Sequence, residues 1–190
     1  MDIQWIYGVA WEEVLFSDWA TLLVVVPKPI GDVCVCGDYK VTLNAQLNIE
    51  TYPLPTPQEL FATLNGGVIF TKLDLSKAYQ QLELRKDCRK LVSINTHRGL
   101  YRFKRLPYGV APAPAQFQKV METILRGIEA VCIFLDDILV AGKDQHDHDQ
   151  RLTRFLERLK NAGVVLELSK CKISQIQGHP SILQSLKNSG

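Results

Sequence analysis

An apolar run broken by two adjacent carboxylates, Val131-Cys132-Ile133-Phe134-Leu135-Asp136-Asp137-Ile138-Leu139-Val140-Ala141, constrains this chain more than any other segment. Its two short apolar halves suit strands, so the run predicts a β-hairpin with both aspartates at or beside its bend. Two ionised carboxylates about 4 Å apart would repel by roughly 4 kcal/mol at an effective dielectric of about 20. Either the turn is exposed and water solvates it, or a cation offsets the repulsion. Magnesium suits the second case, because it takes hard oxygen ligands and keeps positions for water and substrate phosphates.

A third aspartate lies inside another apolar run, Val68-Ile69-Phe70-Thr71-Lys72-Leu73-Asp74-Leu75, which reads as a buried strand. An unpaired charge there is costly. Asp74 is therefore either a strand-end residue capping the turn that follows or a member of the same site as Asp136 and Asp137. Three aspartates delivered from two strands are what two-metal phosphoryl transfer needs: one ion activates the attacking hydroxyl and the other clamps the triphosphate.

With 190 residues and 46% apolar content, the chain can bury the core of one domain or of two small subdomains. The longest apolar runs, such as Leu22 to Val26 and Ala130 to Leu135, fall far short of the roughly 18 residues that span a bilayer. No membrane partner is expected. The first twenty residues lack the basic, apolar and small-residue order of a secretory signal, so an intracellular protein is expected. The five scattered cysteines read as reduced thiols, and Cys34-x-Cys36 has the wrong spacing for zinc. His146, Asp147, His148 and Asp149 sit at a helix start, where acidic residues cap.

Thr56, Pro57 and Glu59 predict a helix opened by a capping box and carrying Leu60, Phe61 and Leu64. Thr21 to Pro27 and Val33 to Cys36 read as strands joined by a turn at 29–32. Helices are expected from Pro114 to Leu125 and from about Asp147 to Ala162, the second with a stripe of Leu152, Phe155, Leu156 and Leu159 and Gly163 as C-cap. This order predicts an α+β fold, an antiparallel sheet backed by helices.

Net charge is only +2, but eight basic residues stand against Asp87 alone between Arg85 and Arg105. The stretch contains Arg98, Arg102, Lys104 and Arg105, interleaved with Tyr101 and Phe103. It is either a nucleic-acid footprint or an amphipathic hairpin whose charges face water.

Three ordered motifs carry a family likeness: Leu73-Asp74-Leu75-Ser76-Lys77-Ala78-Tyr79-Gln80-Gln81, then Leu106-Pro107-Tyr108-Gly109-Val110-Ala111 with Pro114-Ala115-Gln116-Phe117-Gln118, then Phe134-Leu135-Asp136-Asp137-Ile138-Leu139-Val140. Together they resemble the reverse transcriptase of gypsy-type long-terminal-repeat retrotransposons, over about four fifths of the chain, from near Phe16 to Cys171. The resemblance implies an RNA-directed DNA polymerase with fingers at about 15–70 and 85–105 and palm at about 71–84 and 106–172. Residues 173–190 are left unmatched.

It further implies that Asp74, Asp136 and Asp137 bind two Mg2+ ions, or Mn2+, with the Leu75 carbonyl as an added ligand. Lys28, Ala78, Tyr79, Tyr108 and Gly109 would meet the incoming dNTP, Tyr79 excluding a 2′-hydroxyl. A core aromatic is the other reading of Tyr79, and an exposed turn lysine that of Lys28. Lys170 matches a general acid for the departing pyrophosphate, or is a solvated strand-end lysine. Arg98, Arg102, Lys104, Arg105 and Phe134 would contact an RNA or DNA template and a DNA primer.

Two departures stand out: Phe134 replaces the usual tyrosine, and Cys34 replaces an arginine whose planar fork would grip the triphosphate. The first keeps the ring and is tolerated; the second, with a tail after Cys171 that lacks the family's continuation, suggests a fragment or decayed copy of a pol polyprotein, with thumb and ribonuclease H regions elsewhere, working in cytoplasmic virus-like particles or the nucleus. A catalytically silent nucleic-acid-binding remnant is the alternative.

Overall fold

The apolar runs of the sequence form strands, and the amphipathic ones form helices, in a computed structural model that describes residues 11–27, 33–47, 52–53, 55–134 and 137–176. Among these residues the strands are β1 (Trp11–Val14), β2 (Thr21–Pro27), β3 (Val33–Gly37), β4 (Ile69–Asp74), β5 (Ser93–Thr96), β6 (Gly99–Phe103), β7 (Val131–Phe134), β8 (Asp137–Gly142) and β9 (Lys172–Ile176). The α-helices are α1 (Pro57–Thr63), α2 (Ala113–Leu125) and α3 (Gln145–Asn161). The chain divides into one unit of residues 1–51 and 77–114 and another of 52–76 and 115–190.

The first unit holds a sheet ordered β1-β6-β5-β2-β3, antiparallel except for the β2–β5 pair. Its core gathers Tyr39, Leu43, Val92, Ile94, Phe103, Leu106, Val110 and Ala113. β2 and β3 pair as expected, with Val26 opposite Cys34, while the turn expected at 29–32 and Lys28 lie outside the described residues. The basic stretch includes the β5–β6 hairpin, closed by Thr96 opposite Gly99.

The second unit is an antiparallel sheet ordered β7-β8-β4-β9 and backed by helices. Thr56 and Glu59 form the expected capping box of α1. Leu60 and Leu64 then pack on Phe70, Cys132, Leu139 and Ala141 of the sheet. That packing and the β4–β8 ladder put residues 52–70 in this unit, whereas the family likeness counts them with the fingers. Residues 77–84 and 106–114 likewise group with the first unit, because Leu84 and Leu106 exchange backbone hydrogen bonds with Lys104 and Leu82.

α3 begins two residues before the expected Asp147, since Asp144 is the cap that accepts the Asp147 N–H at 2.8 Å. At its other end Ala162 is the C-cap, and Gly163 follows in the left-handed region at φ 71°. Phe155 and Leu159 are buried, but Leu156 is exposed, and the stripe turns instead through His148, which is fully buried. The His148 Nδ1 pairs with Asp149 Oδ1 at 3.1 Å, and its Nε2 pairs with Thr71 Oγ1 at 2.9 Å. His148 is thus a hydrogen-bonded core residue. β9, which lies in the span left unmatched in the sequence apart from its first residue Lys172, pairs with β4 across an irregular register, and its Ser174 N–H donates to Thr71 Oγ1 at 3.1 Å.

Candidate active site

β4 and β8 bring Asp74 and Asp137 together. Their ladder runs in unbroken register from Ile69 opposite Gly142 to Asp74 opposite Asp137, so two residues 63 apart in sequence face each other across neighbouring strands. β7 and β8 form the expected hairpin, with Phe134 opposite Asp137. Asp136 lies outside the described residues, as does the Phe134 side chain.

Each described carboxylate has an ammonium beside it. Lys170 Nζ is 3.5 Å from Asp74 Oδ1, and Lys72 Nζ is 2.9 Å from Asp137 Oδ2. Both carboxylates are largely withdrawn from water, at 19% and 20% side-chain exposure, so these charges are poorly screened. Burial pushes the Asp74 carboxyl above the usual range and the Asp137 charge adds to this, while Lys170 and Lys72 pull it down.

Lys170 is placed by a short 3-10 turn, Leu168–Lys170. The preceding Glu167 N–H donates to the Asp74 carbonyl at 2.9 Å, and the Ser76 N–H to the Val165 carbonyl at 3.1 Å. Backbone carbonyls alternate sides along a strand. With the Asp74 carbonyl committed to the Glu167 side, the Leu75 carbonyl turns toward the side on which β8 lies.

Lys72 is the residue that the sequence analysis missed. The signal was present: at period two, Lys72 and Asp74 share one face of β4. Among the described residues no group of three His, Cys, Asp or Glu side chains converges as a metal site. Asp74 and Asp137 nevertheless supply a pair of facing hard-oxygen donors, the ligand chemistry that suits a divalent cation of the magnesium type.

The first unit assembles a second group. Tyr79 and Tyr108 pack with ring centroids 5.1 Å apart, beside the buried Ala78. Gly109 has φ +96°, and a Cβ there would come within 2.5 Å of the Gly37 carbonyl oxygen, so only glycine fits. Asn44, also unforeseen, braces this loop: its Nδ2 donates to the Gly109 carbonyl and its Oδ1 accepts from the Ala111 N–H, both at 2.9 Å.

Of the basic side chains, Arg98 is exposed and Lys104 half-buried. Arg102 approaches Glu12 at 3.8 Å. Arg105 turns inward, donating to the Gln81 carbonyl at 3.0 Å and the Gln80 carbonyl at 3.4 Å, at the end of the 3-10 turn that carries Tyr79.

Comparison with known proteins places the chain in a family. Residues 33–183 match the family described as reverse transcriptase (RNA-dependent DNA polymerase), and the chain belongs to that family. It is 38% identical over 166 residues to the uncharacterized protein K02A2.6 of Caenorhabditis elegans, covering 86% of this chain and 13% of that protein. The Transposon Tf2-3 polyprotein of Schizosaccharomyces pombe is 36% identical over 158 residues, covering 82% of this chain and 12% of the polyprotein. The chain thus spans about an eighth of the length of these relatives.

Among solved structures, the prototype foamy virus protease-reverse transcriptase superposes with a TM-score of 0.81 at 26% identity, covering 88% of this chain and 22% of that one. The foamy viral enzyme in complex with double-stranded DNA shares the fold with a TM-score of 0.82 at 22% identity, covering 91% of this chain and 30% of that one. No helix among the described residues is long and apolar enough to cross a membrane.

Proposed function

We propose that this chain carries the nucleotidyl-transfer centre of an RNA-directed DNA polymerase, joining a dNTP to a primer 3′-hydroxyl on an RNA or DNA template. The observation that carries the reading is Asp74 facing Asp137 across adjacent strands within a reverse transcriptase fold. Support for nucleic-acid partners comes from the foamy viral enzymes, solved with double-stranded DNA and with an RNA/DNA hybrid. The unit that carries Asp74 and Asp137 serves as palm and the other as fingers, both working as part of a longer polyprotein.

Asp74, Asp136, Asp137 and the Leu75 carbonyl would hold two Mg2+ or Mn2+ ions, which when bound lower the pKa of the attacking hydroxyl and neutralise the triphosphate. The chain's own groups do the rest. Lys170, with its ammonium 3.5 Å from Asp74, holds the proton that the departing pyrophosphate takes. Tyr79 and Tyr108 offer a paired aromatic surface to sugar and base, and the bulk of Tyr79 selects against a 2′-hydroxyl. Gly109 lets the backbone approach closely, Lys28 and Ala78 line the nucleotide, and Arg98, Arg102, Lys104 and Phe134 meet the template-primer. Arg105 acts from beneath, by holding the turn of Tyr79.

Primer extension on an RNA template with magnesium tests this reading. Incorporation is expected from the unaltered chain, and Asp137→Ala should lower it by at least about 100-fold, several kcal/mol of transition-state stabilisation, while duplex affinity stays within about twofold. Salt-dependent duplex binding without any incorporation would favour the silent remnant instead.

A further inference from the structure

The ion pair between Lys72 and Asp137 is shorter than that between Lys170 and Asp74, and it is built differently. Lys170 is 63% exposed and approaches from a turn, whereas Lys72 is 16% exposed and rises from β4 itself, two residues before Asp74. In the β4–β8 register Lys72 lies opposite Leu139, so its ammonium crosses diagonally to reach Asp137 Oδ2 at 2.9 Å. A cation is therefore fixed by the strand on a carboxylate whose residue lies opposite Asp74 in the ladder. Lysine suits a place that must be vacated: its charge is compact and strongly hydrated, on a flexible four-carbon stem.

We propose that Lys72 is a resident counter-ion, holding the Asp137 oxygen in the absence of metal and giving it up when a divalent ion binds, so that the chain sets its own metal affinity through an internal competitor. This rests on the reading of Asp74 and Asp137 as metal ligands and goes beyond it by making Lys72 a positioning residue for one of them. Without a metal, Lys72 offsets the repulsion between the facing carboxylates; with one, the same charge opposes the incoming ion.

The test uses Mn2+ alone as the probe, with binding followed by electron paramagnetic resonance and folding by circular dichroism. Lys72→Met keeps the stem and removes the charge. It should melt below the unaltered chain in chelator, regain most of that loss in Mn2+, and bind Mn2+ about tenfold more tightly, a change of about 1.4 kcal/mol. Lys72→Arg, which keeps the charge, should bind Mn2+ within about twofold of the unaltered chain. A Lys72→Met chain that folds only with Mn2+ would also support the proposal.

Unchanged or weaker Mn2+ binding by a folded Lys72→Met chain would overturn it, as would failure of that variant to fold even in Mn2+, since either outcome makes Lys72 a packing residue. If the unaltered chain bound no Mn2+ in the millimolar range, the metal-site reading itself would fall, and this proposal with it. That result is distinct because it appears before any Lys72 variant is compared.

Discussion

Asp74 is ionised at a cost to the fold. Its carboxyl is pushed above the ordinary range chiefly by burial and next by Asp137, with Lys170 and Lys72 opposing. A carboxyl whose folded value is raised binds its proton more tightly in the native state than in the unfolded one. Ionisation therefore destabilises the protein above the folded value, and the penalty disappears below the unfolded one. Asp74→Asn removes the charge, so in chelator at pH 7 it should raise the melting temperature. Melting curves at successively lower pH should show that gain shrinking to nothing through the carboxylate range. A gain that persists in acid would mean Asp74 is strained rather than charged against its surroundings.

At this scale the facing of Asp74 and Asp137 was legible because acids inside apolar strands are rare enough to need a reason, while Asp136 lies outside the described residues. Lys72 was not, since a lysine in a strand is unremarkable until the register shows what lies diagonal to it. His148 was taken with its acidic neighbours as part of a cap, although its spacing of four and seven residues from Leu152 and Phe155 puts it on the apolar stripe.

Among the elements, the loop at Gly109 makes the sharpest stability prediction. The residue sits at φ +96°, and any side chain would meet the Gly37 carbonyl oxygen. Gly109→Ala combines backbone strain with overpacking, about 2–4 kcal/mol in all. Urea denaturation should show a lower midpoint with an unchanged slope. An unshifted midpoint would mean that the loop relaxes freely and that the close approach to Gly37 is not required.

Elements marked by local chemistry were readable: the Thr56 capping box, the β7–β8 hairpin and the helix after Pro114 all form. β9 was not, because Lys172–Ile176 reads as a polar segment with two apolar residues, and only pairing with β4 across a bulge makes it a strand. The basic stretch divides by the same logic. Arg98 remains exposed, but Arg105 spends its guanidinium on the Gln80 and Gln81 carbonyls, which sequence spacing cannot reveal.

For the molecule as a whole, the α+β class and family were legible because ordered motifs constrain topology more tightly than composition does. The grouping of residues was harder to read: α1 joins the aspartate-bearing sheet through Leu60 and Leu64, contacts set by three-dimensional packing rather than by order along the chain. The central claim, that Asp74 and Asp137 form a divalent-metal site, can be tested without any turnover. Titrating the isotope-labelled chain with Mn2+ and following amide resonances should broaden Asp74, Leu75 and Asp137 first, with Asp137→Asn abolishing that selectivity. Broadening that begins instead around Asp144 to Asp149, or that spreads evenly over the exposed carboxylates, would contradict it.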